Sequence, residues 1–277
     1  MFPGREYRPD ATAWAVVALA ATRSGGTDDG AVESGRSRLA GSQLADGRVS
    51  VTPSGPESSW PTPLAILAWH RSEKHAGQRL RAVNFLLGTS GKHWVKEEGS
   101  PLGHDTSIQG WSWTHDSHPW VEPTSLSVLA LRISGLGDHA RVREGVRLLV
   151  DRQLPAGGWN YGNTLVYGTE LYPQPDCTGL ALSALAGCVP RSEVGKSIRY
   201  LASQVTRVRT PLSLGWSILG LGAWGQKPGQ TAAWVLECMN RQQEYGAYDT
   251  MLVSLLLLSL QARKGLESCF PNTEGDR

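Results

Sequence analysis

The segment Asp176–Leu185, DCTGLALSAL, is the clearest copy of a pattern that recurs along this chain of 277 residues. A threonine or serine is followed by small and large apolar residues, with small residues three and six positions later, here Ala181 and Ala184 after Thr178. Further copies are DATAWAVVALA from Asp10, WPTPLAILAW from Trp60, EPTSLSVLAL from Glu122, LSLGWSILGL from Leu212 and a vaguer one from Tyr248. Small residues three apart lie on one helix face, and segments apolar almost all round predict buried inner helices.

Amphipathic, charge-bearing stretches lie between these copies. Leu, Val and Ile recur at spacings of three and four, with Arg and Lys on the opposite face, which predicts outer helices with one buried side. These stretches begin at Val32, Ala76, His139, Arg191 and Gly229. The alternation predicts an all-α fold of six inner and about five outer helices, arranged either as an open solenoid or as a closed ring.

Bulk composition narrows the classes of function. The chain is 40% hydrophobic and 19% charged, which is enough to bury a core, and its formal net charge of +2 is too weak to indicate nucleic acid as a partner. Four cysteines without a CxxC pair are typical of a reducing compartment. We interpret the early apolar run, Ala13 to Ala21, as the first repeat and not as a signal peptide. These features predict a cytoplasmic protein, with peripheral membrane contact left open.

Two motifs resemble those of triterpene cyclases. Residues 152–159, RQLPAGGW, resemble the QW motif of squalene and oxidosqualene cyclases, in which Gln caps helix ends and stacks on Trp. Residues 176–179, DCTG, resemble the Asp-Cys-Thr-Ala-Glu motif of oxidosqualene cyclases. The same Asp176 matches the middle acid of the Asp-x-Asp-Asp run of squalene-hopene cyclases. The repeats are similar to prenyltransferase and squalene oxidase repeats along most of the chain.

The resemblance implies a single α/α toroid of the terpenoid cyclase and protein prenyltransferase superfamily. We expect the toroid to cover residues 1–263 and a polar C-terminal tail to cover 264–277. The chain departs from the triterpene cyclases, which carry two helical domains, because it has room for one. It also departs from the protein prenyltransferases, since no His follows His139 to complete their zinc site.

The chemistry that the resemblance implies centres on Asp176 and Cys177. In the cyclases the Asp is the general acid and the Cys hydrogen-bonds to it, so Asp176 would start the cyclisation or isomerisation of a linear polyprene or its epoxide. A buried carboxyl group keeps its proton, which such a reaction needs, and no cofactor is implied. The alternative is that Asp176 caps the helix that begins beside it.

Aromatic residues predict the lining of an apolar substrate cavity. Two stretches before inner helices, 109–122 and the predicted loop 161–172, are rich in Trp and Tyr, whose faces stabilise carbocations. Glu122 lies at the end of the first stretch and would converge with Glu57, Glu170 and Asp176 at one end of the toroid. The predicted substrate-binding residues are Trp60, Trp111, Trp113, Trp120, Glu122, Trp159, Tyr161, Tyr167 and Tyr172. The alternative is that the Trp residues wedge the repeats together.

Two other functions stay open. His115, Asp116 and His118, with Cys177 or Asp176, could supply the metal ligands of a zinc-dependent, prenyltransferase-like enzyme. Alternatively, the toroid binds a lipid or a protein without catalysis, and a partner chain or a second copy closes its cavity. Phosphate-binding motifs are missing from the sequence, and basic residues of the predicted loops, Lys92 and Lys96 among them, are scattered.

Overall fold

The computed structural model describes residues 6–22, 29–262 and 264–270, and its regular secondary structure is mostly α-helical. In chain order the α-helices are α1 (Pro9–Ala21), α2 (Asp29–Gly41), α3 (Thr62–Ala68), α4 (Ala76–Gly88), α5 (Val121–Ile133), α6 (Ala140–Asp151), α7 (Pro175–Leu185), α8 (Arg191–Val205), α9 (Pro211–Ala223), α10 (Thr231–Asn240), α11 (Gln242–Tyr245) and α12 (Thr250–Gln261). Short 3₁₀ turns span Glu73–His75 and Leu266–Cys269. The predicted all-α class is confirmed.

Six inner helices form a closed ring. Helix α1 contacts α3, and the ring continues through α5, α7 and α9 to α12, which returns to α1. The outer helices α2, α4, α6, α8 and α10 pack against this ring, each on the inner helix that precedes it. Of the two arrangements that the repeats left open, the structure has the closed one, an α/α toroid with six inner and five outer helices among the described residues.

Small residues of the repeat allow the inner helices to approach closely, above all α7 and α9. A Cβ atom added at Gly179 would overlap the backbone carbonyl of Trp216, and one added at Gly220 would overlap the backbone of Gly179. A side chain at either position would therefore force the two helix backbones apart. The glycines of α7 and α9 set the spacing of this part of the ring.

The repeat threonine ties each inner helix to the loop before it. The Thr178 hydroxyl accepts a hydrogen bond from the backbone N–H of Trp159 at 2.9 Å and donates one to the carbonyl of the same residue at 3.2 Å. Thr62 makes the same two bonds with Val49, and Thr124 makes them with Trp111. The three threonines are buried. Each hydroxyl satisfies loop backbone groups that water cannot reach.

Replacing Thr178 with valine should lower the free energy of unfolding by about 1–3 kcal/mol, because the N–H group of Trp159 would stay buried without its hydrogen-bond partner. Thr178→Ser keeps the hydroxyl and loses one methyl group, so it should cost about 1 kcal/mol. Urea unfolding of both variants measures the difference. Equal destabilisation by valine and serine would show that the hydroxyl is not what stabilises the loop.

The segment 161–172, predicted as a loop, contains a short antiparallel hairpin. Strand β1 (Leu165–Val166) pairs with β2 (Thr169–Glu170). The chain turns at Tyr167 and Gly168, both at positive φ, which only glycine adopts without a steric cost. Pairing between such short strands depends on this turn geometry, which the aromatic composition of the segment did not reveal.

The first residues of the predicted C-terminal tail pack on the toroid. The turn Leu266–Cys269 contacts α9 and α12, and Leu266 and Phe270 are buried. The rest of the tail, residues 271–277, lies outside the described residues, as do 1–5, 23–28 and 263 of the predicted toroid domain. The boundary predicted after residue 263 stays a prediction. Within the described ranges, no helix is both long and apolar enough to cross a bilayer.

Candidate functional site

Two carboxyl groups lie on the first turns of neighbouring inner helices. Glu122 is in the first turn of α5, Asp176 is in the first turn of α7, and these helices pack against each other. The two groups are close enough for the negative charge of Asp176 to act on Glu122. The ring thus brings together two acids that are 54 positions apart in the sequence.

Side chains, not helix-end amides, hold the Asp176 carboxylate. The Ser213 hydroxyl, from the first turn of α9, donates to Oδ1 at 3.3 Å, and the Cys177 thiol lies 3.9 Å from Oδ2. The N-cap position of α7 is occupied by Gln174, and Asp176 stands inside the helix. The interpretation of Asp176 as a helix cap therefore finds no support, and its carboxylate is aimed at neighbouring helices.

Glu122 is recessed: its side chain stays partly accessible, yet protein atoms surround it on most sides. This burial raises the pKa of Glu122 to about 7, and the charge of Asp176 acts in the same direction. A hydrogen bond from Trp113 acts in the opposite direction. Near neutral pH the Glu122 carboxyl group therefore retains its proton in about half of the molecules, beside the negative charge of Asp176.

The groups around the carboxyl pair are neutral. Burial, with the charges of Asp176 and Glu122, raises the pKa of the Cys177 thiol, so this side chain stays an S–H donor. Burial also raises the pKa of the Tyr161 phenol, and Cys177, Asp176 and Glu122 add to that effect. Burial and then Asp176 raise the pKa of Tyr200 to about 12. The pair is surrounded by hydrogen-bond donors that carry no charge.

Asp10, a buried acid elsewhere in the same ring, differs from the carboxyl pair because a positively charged side chain binds it. Asp10 occupies the corresponding position on the first turn of α1 and is buried. The Arg8 guanidinium donates two hydrogen bonds to its oxygens at 2.8 and 2.7 Å, which compensates its charge. No Lys or Arg of the described residues lies within ion-pair distance of Glu122 or Asp176.

Trp113 contacts both the carboxyl pair and a cluster of aromatic rings. Its indole hydrogen-bonds to Glu122, stacks on Trp120 with ring centroids 5.3 Å apart, and meets the edge of Tyr161 at 6.2 Å. The His118 ring lies 4.2 Å from the Trp120 ring. The structure thus brings together six predicted site residues: Trp113, Trp120, Glu122, Tyr161, Asp176 and Cys177.

Two predicted tryptophans lie in the wall of the toroid. The Trp111 indole donates to the carbonyl of Leu86 in α4, and the Trp159 indole donates to the carbonyl of Leu149 in α6. Both side chains are buried. They pack between the inner and outer helices, which fits the alternative that these Trp residues wedge repeats together.

The other predicted aromatic residues are more peripheral. Trp60 is partly buried and packs against the hydrophobic core. Tyr167 and Tyr172 project into solvent, with exposed fractions of 84% and 87%. Glu57 and Glu170 are also exposed, and Glu170 accepts a hydrogen bond from the backbone of Ala156.

The predicted metal ligands are not gathered into one group. His115 is largely exposed, with its Nδ1 atom 3.3 Å from the carboxylate of Asp116. His118 instead packs on Trp120. Within the described ranges, no three His, Cys, Asp or Glu side chains are grouped so that they could hold a metal ion.

Ser213 and Tyr200 are site residues that the sequence did not suggest. Tyr200 lies in α8, where its hydroxyl donates to the carbonyl of Pro173 at 2.9 Å, just before α7. Ser213 stands one position before Leu214, as Cys177 stands one position before Thr178. Comparison of equivalent positions between repeats could have found Ser213, whereas Tyr200 belongs to an outer helix with no such signal.

Comparison with solved structures identifies the fold. No protein-family model and no curated protein sequence matches the chain. A protein from Actinoplanes is 14% identical, with a TM-score of 0.60 over 92% of this chain and 90% of that chain. ent-Copalyl diphosphate synthase from Streptomyces platensis is 17% identical, with a TM-score of 0.58 over 92% of this chain and 50% of that chain. The type II terpene cyclase MstE from Scytonema, in its apo form, is 13% identical, with a TM-score of 0.56 over 91% and 88%.

These similarities show that the chain has the helical toroid found in class II terpene cyclases. The fold that the repeats and motifs predicted is confirmed. The chain spans half the length of the copalyl diphosphate synthase that it matches.

Proposed function

We propose that this protein protonates a linear isoprenoid, either a polyprene or its epoxide, and thereby starts its cyclisation or isomerisation. The observation that carries this proposal is the Glu122–Asp176 pair, in which Glu122 has a pKa of about 7 and lies beside aromatic rings. A general acid is most effective when its pKa lies near the working pH. The fold is also that of proteins described as a copalyl diphosphate synthase and a type II terpene cyclase.

The first step transfers the proton of the pair to the substrate. The π electrons of a terminal double bond form a new C–H bond with it and leave a carbocation, or the epoxide oxygen takes it as its C–O bond opens. The carboxyl pair becomes one charge more negative. A second double bond then attacks the cation and closes a ring, which moves the positive charge to another carbon, or no ring closes. In either case the cation loses a neighbouring proton to water and a new double bond forms. The hydronium ion returns a proton to the carboxyl pair.

Each neighbouring group has a role in this step. Cys177 and Ser213 donate hydrogen bonds that orient Asp176, the proton donor. The ring faces of Trp113, Trp120 and Tyr161 stabilise the cation, an attraction worth more where water is excluded. A lysine or arginine beside the pair would lower its proton affinity and repel the cation. The neutral surroundings therefore suit both the acid and the intermediate.

Incubation with a panel of linear polyprenes, their epoxides and prenyl diphosphates tests the proposal. We expect gas chromatography with mass spectrometry to find a cyclised or isomerised product from at least one of these classes. Glu57→Gln is the matched control, because Glu57 is an exposed acid outside the pair and its loss should leave product formation unchanged. Absence of product from every member of the panel would contradict the proposal.

A further inference from the structure

A small cavity with both polar and apolar walls lies next to the aromatic cluster. Its volume is about 120 Å³, enough for several water molecules. Contacts between rings connect it to the carboxyl pair, since His118 lines the cavity and packs on Trp120, which stacks on Trp113. The polar residues that line it are Lys92, His104, Thr106, His118, Arg152 and Asn163.

Backbone hydrogen bonds fix the walls of this cavity. The N–H of Lys92 donates to the carbonyl of Ser117 at 2.9 Å, and the N–H of Trp94 donates to the carbonyl of Thr106 at 3.0 Å. The Thr106 hydroxyl donates back to the carbonyl of Trp94 at 2.8 Å. The cavity is therefore preformed, and a ligand would not have to order these segments.

His104 is a buried residue of the cavity wall with one ring nitrogen that lacks a hydrogen-bond partner in the described part of the chain. Its side chain is buried, and its Nδ1 atom has no hydrogen-bond partner among the described residues. Burial lowers the pKa of His104 to about 4, and the charges of Arg152 and Lys96 act in the same direction. The ring is neutral at pH 7 and has one N–H to donate. A buried imidazole without a partner for one of its nitrogens calls for an explanation.

The charges around His104 are mixed but positive on balance. Arg152 is buried beside the cavity, where it bonds to the Asp151 carboxylate and to the carbonyl of Asp105. Among the effects on the His104 pKa, the lowering by Arg152 and by Lys96 is each larger than the raising by Asp105. Lys92 adds a further ammonium, 3.7 Å from the Asp116 carboxylate at the exposed surface. The net positive potential would therefore stabilise an anion in the cavity.

We propose that this cavity is a binding site for a phosphoryl group, which is small, tetrahedral and anionic. His104 donates from a ring nitrogen, Lys92 provides an ammonium at the opening, and the Asn163 amide offers further N–H groups. Arg152 adds positive potential, which its ion pair with Asp151 partly offsets. The phosphoryl group comes either from free phosphate or from a head group on the isoprenoid, and only the second source rests on the proposed function.

Isothermal titration calorimetry at pH 7.5 tests the site with inorganic phosphate, inorganic diphosphate, geranyl diphosphate and geraniol. We expect inorganic diphosphate to bind to the wild-type protein. His104→Ala should weaken binding about tenfold through the lost hydrogen bond, and Lys92→Gln about two- to fivefold. Lys227→Gln is the matched control, because it removes an exposed lysine between α9 and α10, away from this cavity.

The ligands in the panel distinguish the two sources. A substrate head group is supported if geranyl diphosphate binds more tightly than inorganic diphosphate and geraniol binds weakly. Free phosphate is supported if the two diphosphates bind equally. No binding of the phosphoryl ligands at millimolar concentration overturns the proposal, as does unchanged affinity in both Lys92→Gln and a folded His104→Ala. Should His104→Ala not fold, NMR of the wild-type imidazole replaces it: diphosphate must raise the pKa of His104, and an unmoved pKa counts against the site. These binding measurements do not require the protein to convert a substrate, so their outcome is independent of whether the carboxyl pair protonates an isoprenoid.

Discussion

Asp176→Asn and Glu122→Gln should each lower turnover of the responsive isoprenoid by a factor of about 10²–10⁴, the usual contribution of a general acid. Asparagine at 176 removes the group that we assign as the donor. Glutamine at 122 removes the neighbouring carboxyl group, whose raised pKa lets it hold a proton near neutral pH. Initial rates of product formation measure both losses. Retention of more than half of the wild-type rate by either variant, once circular dichroism shows it to be folded, would contradict the role of the carboxyl pair in the reaction.

The same pair predicts the pH dependence of turnover and stability. Wild-type turnover should fall as pH rises through about 7, because Glu122 then loses its proton. The raised pKa means that the folded state binds this proton more tightly than the unfolded chain. The resulting stability is complete below the ordinary glutamate pKa and is lost as pH rises to about 7. At pH 8, Glu122→Gln should therefore be about 1–3 kcal/mol more stable than the wild type, and near pH 4 this gain should vanish. Rates and urea unfolding across this range measure both effects, and two flat profiles would contradict the raised pKa.

Gly179→Ala should lower the free energy of unfolding by about 3 kcal/mol, because the added methyl group overlaps the backbone of Trp216 and must push α9 away from α7. Gly77→Ala is the control, since Gly77 lies near the start of α4 with open space around its Cβ position. That change should leave stability unchanged or raise it by up to about 1 kcal/mol. Urea unfolding compares the two variants. An equal effect of both would mean that α7 and α9 are not in backbone contact.

The sequence predicted the layers of the fold because each layer leaves a local pattern. Inner helices show small residues three apart, and outer helices show apolar residues at spacings of three and four. Closure of the ring could not be predicted, because it depends on the contact between α12 and α1. The copy of the repeat in α12 is the vaguest of the six, and a contact between the two ends of the chain leaves no periodic signal.

The candidate site was predicted in part. Asp176, Cys177 and the aromatic residues Trp113 and Trp120 stand in motifs or clusters that a sequence displays. The role of Glu122 could not be foreseen, since its pKa depends on burial and on the nearby charge of Asp176. The phosphoryl cavity was hidden for a similar reason: its residues lie in separate segments from Lys92 to Asn163, which the fold brings together.

Mass spectrometry of the product formed in deuterium oxide tests the acid-initiated reaction most directly. The substrate is a polyprene without an epoxide, so that the delivered proton ends on carbon and does not exchange afterwards. Because the carboxyl pair takes its proton from solvent, we expect the product to carry one carbon-bound deuterium, on the carbon next to the terminal dimethyl carbon. A product that forms in deuterium oxide but carries no carbon-bound deuterium would contradict protonation by the Glu122–Asp176 pair.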